Sequence, residues 1–144
     1  MASDNGNADL NQAVRDALTE YTPFRAWSHQ IEIETRGSTV VLSGLARVTN
    51  IKNTVEKIVR AVKGVTSVEN KIVADDQVEI AVAQALAADP RTRGGFPGIV
   101  VGVVFGTVFI KGVAASAAMK SAAAEIASKV SGVVSVSEEL VVAA

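Results

Sequence analysis

Gly64-Val65-Thr66-Ser67-Val68 and Gly132-Val133-Val134-Ser135-Val136 are one five-residue passage met twice, 68 residues apart, and that spacing decides the fold. Working outward, Val40-Val41-Leu42-Ser43-Gly44 returns as Val108-Phe109-Ile110-Lys111-Gly112 at the same offset. The first helices follow suit, Ala13-Val14 matching Ala81-Val82 and Ala17-Leu18 matching Ala85-Leu86. A fixed long period without gaps marks a duplicated structural unit. The 144 residues, 49% of them hydrophobic, therefore divide into two domains of half that length, near the lower size limit for independent folding.

In the first copy, Leu10, Val14, Leu18 and Tyr21 recur at helical spacing, which predicts a helix over 8–20 stopped by Thr22-Pro23. Ile31 and Ile33 alternate with Glu32 and Glu34, Arg36-Gly37-Ser38 turns, and 39–43 is rich in β-branched residues: a hairpin with one wet face. A helix over 50–63 carries Ile51, Val55, Ile58, Val59 and Val62 on one side and stops at Gly64, and 65–73 is a third strand. The order is αββαβ, with a right-handed crossover making the second and third strands parallel. The second copy places helices at 77–88 and 117–131 and strands at 99–105, 107–112 and 133–142. The expected class is α+β: a disordered segment 1–7, then domains 8–75 and 76–144, each a three-stranded sheet with two helices on one face. Asp76 and Glu79 suit a capping box at the start of the second domain.

This order and these motifs resemble the BON domain, the small module named after osmotically induced bacterial proteins and nodulation proteins. The resemblance rests on the strand ends Leu42-Ser43-Gly44 and Ile110-Lys111-Gly112 and on helices running into Gly64-Val65 and Gly132-Val133. It extends over 8–144 as a tandem pair. It implies a non-enzymatic binding module near bacterial envelopes, associated with phospholipid surfaces and with osmotic or envelope stress. A potassium-binding bacterial protein that joins a BON domain to a LysM domain makes cytoplasmic potassium sensing the alternative function, although no side-chain cage for the ion stands out here.

Chemistry-bearing residues are few. Formal net charge is −1, with 9 basic and 9 acidic residues in 1–75 and 5 and 6 in 76–144, so neither half has the basic excess that nucleic-acid binding usually needs. Without cysteine there is no thiol catalysis or thiolate metal site, and His29 is the sole histidine, so a Ser-His-Asp triad would have to use it and a multi-histidine metal site has no second one; it reads as a loop or strand-edge residue. The pairs Asp75-Asp76 and Glu138-Glu139 point in different directions along the chain and read as capping and solvated residues. Gly94-Gly95-Phe96-Pro97-Gly98 precedes a strand rather than opening a helix, so it is a turn and not a phosphate loop. No catalytic residue, cofactor or metal is expected, and any small-molecule ligand stays unidentified. The polar start Met1 to Asn7 lacks the features of a signal peptide, which makes the expected location cytoplasmic, or periplasmic if an export signal was removed.

Three features suit binding. Lys52, Lys57, Arg60 and Lys63 lie on an arc away from the apolar stripe of helix 50–63, interrupted by Glu56, where an anionic membrane surface or the solvent alone could meet them. In membrane-binding dual-BON proteins lipid contact is assigned to the second domain, yet the helix there is Ala-rich, carries only Lys120 and Lys129 against Glu125, and lacks an aromatic. Tyr21, Phe24 and Trp27, with Phe96 in the second copy, suit either an interface or the closure of a small core. Finally, the second hairpin is apolar on both faces. One face takes its own helices and leaves Val100, Val104, Phe109 and Val134, with Val136 beside them, for the first domain, an apolar ligand or a second copy. The expectation is a homo-oligomer assembled through this sheet.

Overall fold

The computed structural model describes residues 2–93 and 98–143, with side chains from residue 8 onward. The chain divides into two compact units, Met1–Ala74 and Asp75–Ala144. The turn 94–97, including Phe96, lies outside the described residues.

In the first unit α1 spans Ala2–Thr19 and so begins inside the segment 1–7 expected to be disordered. Val14 and Leu18, one turn apart, are fully buried, and Leu10 packs against the same core. Pro23 ends this helix as expected and also opens another that periodicity missed, α2 (Thr22–Trp27). In a first turn the missing proline N–H has no helical acceptor to lose, so the residue that stops α1 can start α2. Phe24 in α2 is buried in the core, and a 3₁₀ turn, Ser28–Gln30, leads into the sheet.

Strands β1 (Ile31–Arg36) and β2 (Thr39–Ala46) form the expected antiparallel hairpin, running from Ile31 opposite Gly44 to Arg36 opposite Thr39. Ile31 and Ile33 are buried while Glu32 and Glu34 are exposed, so the alternation in sequence is the alternation in space. Helix α3 (Thr49–Arg60) buries Val55 and Val59 against the inward-facing Val40 and Leu42. The strand expected over 65–73 is broken into β3 (Ser67–Asn70) and β4 (Val73–Ala74), both parallel to β2, so this sheet has four strands and not three. Asn70 makes the break. Its Oδ1 accepts the N–H of Ile72 at 3.1 Å and its Nδ2 donates to the Lys52 carbonyl at 3.0 Å, which turns Ile72 into the core.

The second unit repeats the plan with α4 (Asp75–Ala88), β5 (Ile99–Val104), β6 (Thr107–Ala114), α5 (Ala117–Ser128) and β7 (Ser135–Val142). Its sheet has the order β5-β6-β7, antiparallel then parallel, and its third strand is continuous. Val78, Val82 and Leu86 of α4 and Ala122, Ala123, Ile126 and Ala127 of α5 are buried, as are Val108, Ile110 and Ala114 on the facing side of β6. Where the first unit buries Phe24, the residue 68 positions on is Thr92, fully buried with its hydroxyl donating to the Leu86 carbonyl at 2.6 Å. A hydrogen bond closes in one copy what an aromatic ring closes in the other.

The matching glycines, expected to end their strands, lie two residues inside β2 and β6 and have a steric reason. At Gly112 (φ +118°) a Cβ would lie 1.9 Å from the Gly98 carbonyl oxygen, and at Gly44 (φ +110°) 2.0 Å from that of Gln30. No side chain fits either place.

Candidate binding surfaces

Register assigns each residue of the second sheet to a face. Val100, Gly102 and Val104 of β5 pair with Lys111, Phe109 and Thr107 of β6, which in turn stand beside Glu139, Ser137 and Ser135 of β7. These side chains form the face turned away from α4 and α5. Val100 is 63% and Val104 45% exposed, Phe109 is half-buried, and with Lys111 they wall a depression of about 400 Å³ over Gly102. Farther along, Val113 and Val141 are paired neighbours on the same face and are also exposed.

Val134 does not join them. It is 67% exposed but lies ahead of β7, outside the ladder register, where its N–H donates to the Gly106 carbonyl at 2.9 Å. Val136 pairs with the buried Val108 and points inward. The structure thus brings together three of the four expected assembly residues and separates Val134.

The matching face of the first sheet carries Glu32, Glu34 and Arg36 on β1 and Glu69 on β3. Arg36 bonds Glu34 at 3.0 Å, and this contact holds the Glu34 carboxyl below its ordinary range. Lys71 stands 3.9 Å from Glu69. On the first strand of each hairpin, one copy presents Glu32 and Arg36 where the other presents Val100 and Val104, while Phe109 stands where the first copy has Val41.

On α3, Lys52 is half-buried and Lys57 and Arg60 are exposed, while the exposed Lys63 lies past the helix end. Arg60 is engaged by Glu56 at 2.9 Å, a bond that lowers the Glu56 carboxyl, with Asn70 as second contributor. Lys52, Lys57 and Lys63 form no ion pair among the described residues. In the second unit the helix cations are taken: Lys129 bonds Glu125 at 3.1 Å and Lys120 lies 4.0 Å from Glu138. Phe24 is core and Tyr21 packs against it.

Two features escaped the sequence reading. The Asp75 carboxylate, read there as capping and solvated, is 3% exposed and belongs to the second unit, one residue earlier than the expected boundary. Its oxygens accept the Phe105 and Gly106 N–H groups at 2.7 and 2.9 Å, fixing the β5–β6 turn with Phe105 at φ +44° and Gly106 at φ +80°. Its neighbour Asp76 accepts the Gln77 N–H. The second feature is Arg91, which bonds Asp89 at 3.1 Å and Glu125 at 2.9 Å and so ties the segment after α4 to α5. Asp89 is lowered chiefly by Arg91, and Glu125 by Lys129 and then Arg91.

His29 is exposed in the Ser28–Gln30 turn. Among the described residues no group of three or more His, Cys, Asp or Glu could hold a metal ion, and no helix is long and apolar enough to cross a membrane.

No curated protein matches the chain. Among solved structures it is similar to the C-terminal domain of CdsD, the structural protein of the Type III secretion system of Chlamydia trachomatis, with a TM-score of 0.72 at 16% identity over 95% of this chain and 67% of that one. A second CdsD structure from Chlamydia trachomatis gives a TM-score of 0.45 at 12% identity over 94% and 92% of the two chains. The BON domain model matches residues 6–76 and again 74–144. With the αββαβ plan, a positive-φ glycine inside the second strand and the parallel crossover present in both units, the chain belongs to the BON domain family as a tandem pair.

Proposed function

We propose that this chain is a non-catalytic binding and assembly module that associates with itself through the outer face of its second sheet. The observation that carries the reading is the contrast between the copies at equivalent positions. Glu32, Glu34 and Arg36 cover that face in the first sheet, whereas Val100, Gly102 and Val104 occupy it in the second, beside Phe109. Exposed apolar clusters of this kind are rarely left to water on a monomer. The likeness of the fold to a domain of a secretion-system structural protein agrees with a structural role. Light scattering after size exclusion, over a range of concentrations, tests the reading on wild type and on a Val104→Asp/Phe109→Asp variant. Assemblies that become monomers in the variant are expected, and an unchanged mass in the variant discards the proposal.

A second reading, in the envelope and stress setting of the family, is association with anionic phospholipid through Lys52, Lys57 and Lys63, which form no ion pair among the described residues, with Arg60 held by Glu56 and Lys52 in the field of the same carboxylate. Each such cation contributes about 1 kcal/mol near an acidic membrane surface. Co-sedimentation with phosphatidylserine vesicles at low and high salt tests it. A Lys52→Gln/Lys57→Gln/Lys63→Gln variant that still sediments as wild type excludes this helix as the contact.

A further inference from the structure

Gly102 sits in the middle of β5, where glycine weakens a strand. Its surroundings give no reason for it. Its φ is outside the left-handed region, and a Cβ placed on it would meet no heavy atom within 4 Å. Gly44 and Gly112 are the contrast, since there a carbonyl oxygen occupies the place of the Cβ. Phe109 is the register partner of Gly102 on β6, yet its ring does not reach over the glycine to fill the space. A depression of about 400 Å³ is left, walled on one side by the half-buried Phe109.

We propose that the depression over Gly102 is a socket for Phe109 of a second copy, with the converse contact made at the same time. This inference rests on the self-association proposed above and gives it a geometry. A two-fold axis running along the strands, between β5 and β6, lays β5 of one copy over β6 of the other. Because Gly102 and Phe109 stand at the same level of the ladder, that one operation brings each ring over the other copy's glycine. Two sheets packed about 10 Å apart with their strands nearly aligned leave room for such interdigitation. The other facing pairs are Val104 with Thr107 and Val100 with Lys111; the two Lys111 side chains meet at one end of the overlap, where their ammonium groups must turn out to solvent, and Glu139 on β7 stays outside the overlap. The occupant is a second copy because knob and hole are neighbours on one surface, which is the self-complementarity a two-fold interface requires.

The test uses the full chain carrying Gly102→Val, which fills the socket, or Phe109→Ala, which removes the knob. Each variant alone should dissociate at least tenfold more readily than wild type. Mixed one to one, with one variant isotopically labelled, they should form mixed dimers in native mass spectrometry. A mixed dimer keeps one intact Phe109–Gly102 contact and sets the smaller alanine against the new valine. Thermal unfolding checks that Gly102→Val folds at least as well as wild type, since its side chain enters open space in a strand that suits valine. The proposal is overturned if Gly102→Val associates as tightly as wild type, or if mixing forms no more dimer than either variant alone. Should Val104→Asp/Phe109→Asp be monomeric while Gly102→Val is unaffected, the socket falls and the assembly face stands. A wild type that is monomeric at every concentration removes both.

Discussion

Replacing Asp75 with alanine should unfold the second unit far more easily than its place at the end of a linker would suggest. The carboxylate is buried and accepts the Phe105 and Gly106 N–H groups at 2.7 and 2.9 Å. The Gly106 contact is buried, so losing it leaves a donor unsatisfied at a cost of about 1–3 kcal/mol; the Phe105 contact is only partly buried, and water recovers some of its loss, leaving about 0.5–1.5 kcal/mol. Together the change costs about 1.5–4.5 kcal/mol. A domain of this size has a total stability of roughly 4–10 kcal/mol, so a large share would be gone. With a urea slope near 1 kcal/mol/M the midpoint should fall by about 1.5 M or more. Asp75→Asn keeps one acceptor and should lose about half as much. Hydrogen exchange localises the effect: a loss of 2 kcal/mol speeds the exchange of the Gly106 amide about 30-fold where local opening governs it. An alanine variant that unfolds within about 0.5 kcal/mol of wild type would refute the buried-acceptor argument.

Three further outcomes follow from the same geometry. Gly44→Ala or Gly112→Ala sets a methyl group within 2.0 or 1.9 Å of a carbonyl oxygen at φ +110° or +118°, so each should cost at least about 3 kcal/mol and erase the dispersed amide spectrum of its own unit, and a folded alanine variant at either site would contradict the register. Phe105→Asn should raise the melting temperature by the equivalent of about 1 kcal/mol, because both central residues of this turn have positive φ and asparagine tolerates that better than phenylalanine; a lowered melting temperature would show that the ring contributes more by packing than its backbone strain costs. Asp89 and Glu125 are lowered from ordinary values of 3.8 and 4.5, so their contribution is complete above those values and is lost as pH falls through the lowered ones. Thermal melts of wild type should therefore lose stability more steeply with acid than those of Arg91→Ala, and parallel curves would dismiss the network.

Much of the fold is legible because burial follows simple periods. Val14 and Leu18, Ile31 and Ile33, and Val55 and Val59 all face the core where their spacing puts them. Elements set by a single side chain are not legible in this way. Pro23 both stops one helix and starts another, and a propensity argument registers only the stop. Asn70 reads as one more polar residue in a strand, but its two backbone hydrogen bonds break that strand and bury Ile72. Asp75 reads as solvated because its acceptors' partners are thirty residues away, in a turn whose position the sequence shows but whose direction it does not. The same limit governs the candidate surface. Val100, Val104 and Phe109 were assigned by hairpin alternation, which holds through a two-residue turn. Val134 was misplaced because β7 starts at Ser135, and a residue ahead of a strand has no fixed parity.

The charged outer face of the first sheet also bears on colloidal behaviour. Its ion pairs, Arg36 with Glu34 and Lys71 with Glu69, hold a hydration layer on one half of the molecule, while the valines of β5 shed theirs on the other. Under the self-association proposed above, one polypeptide would carry a charged, hydrated sheet face in one copy and an adhesive face in the other. Concentration would then be a variable to which the proposed assembly responds.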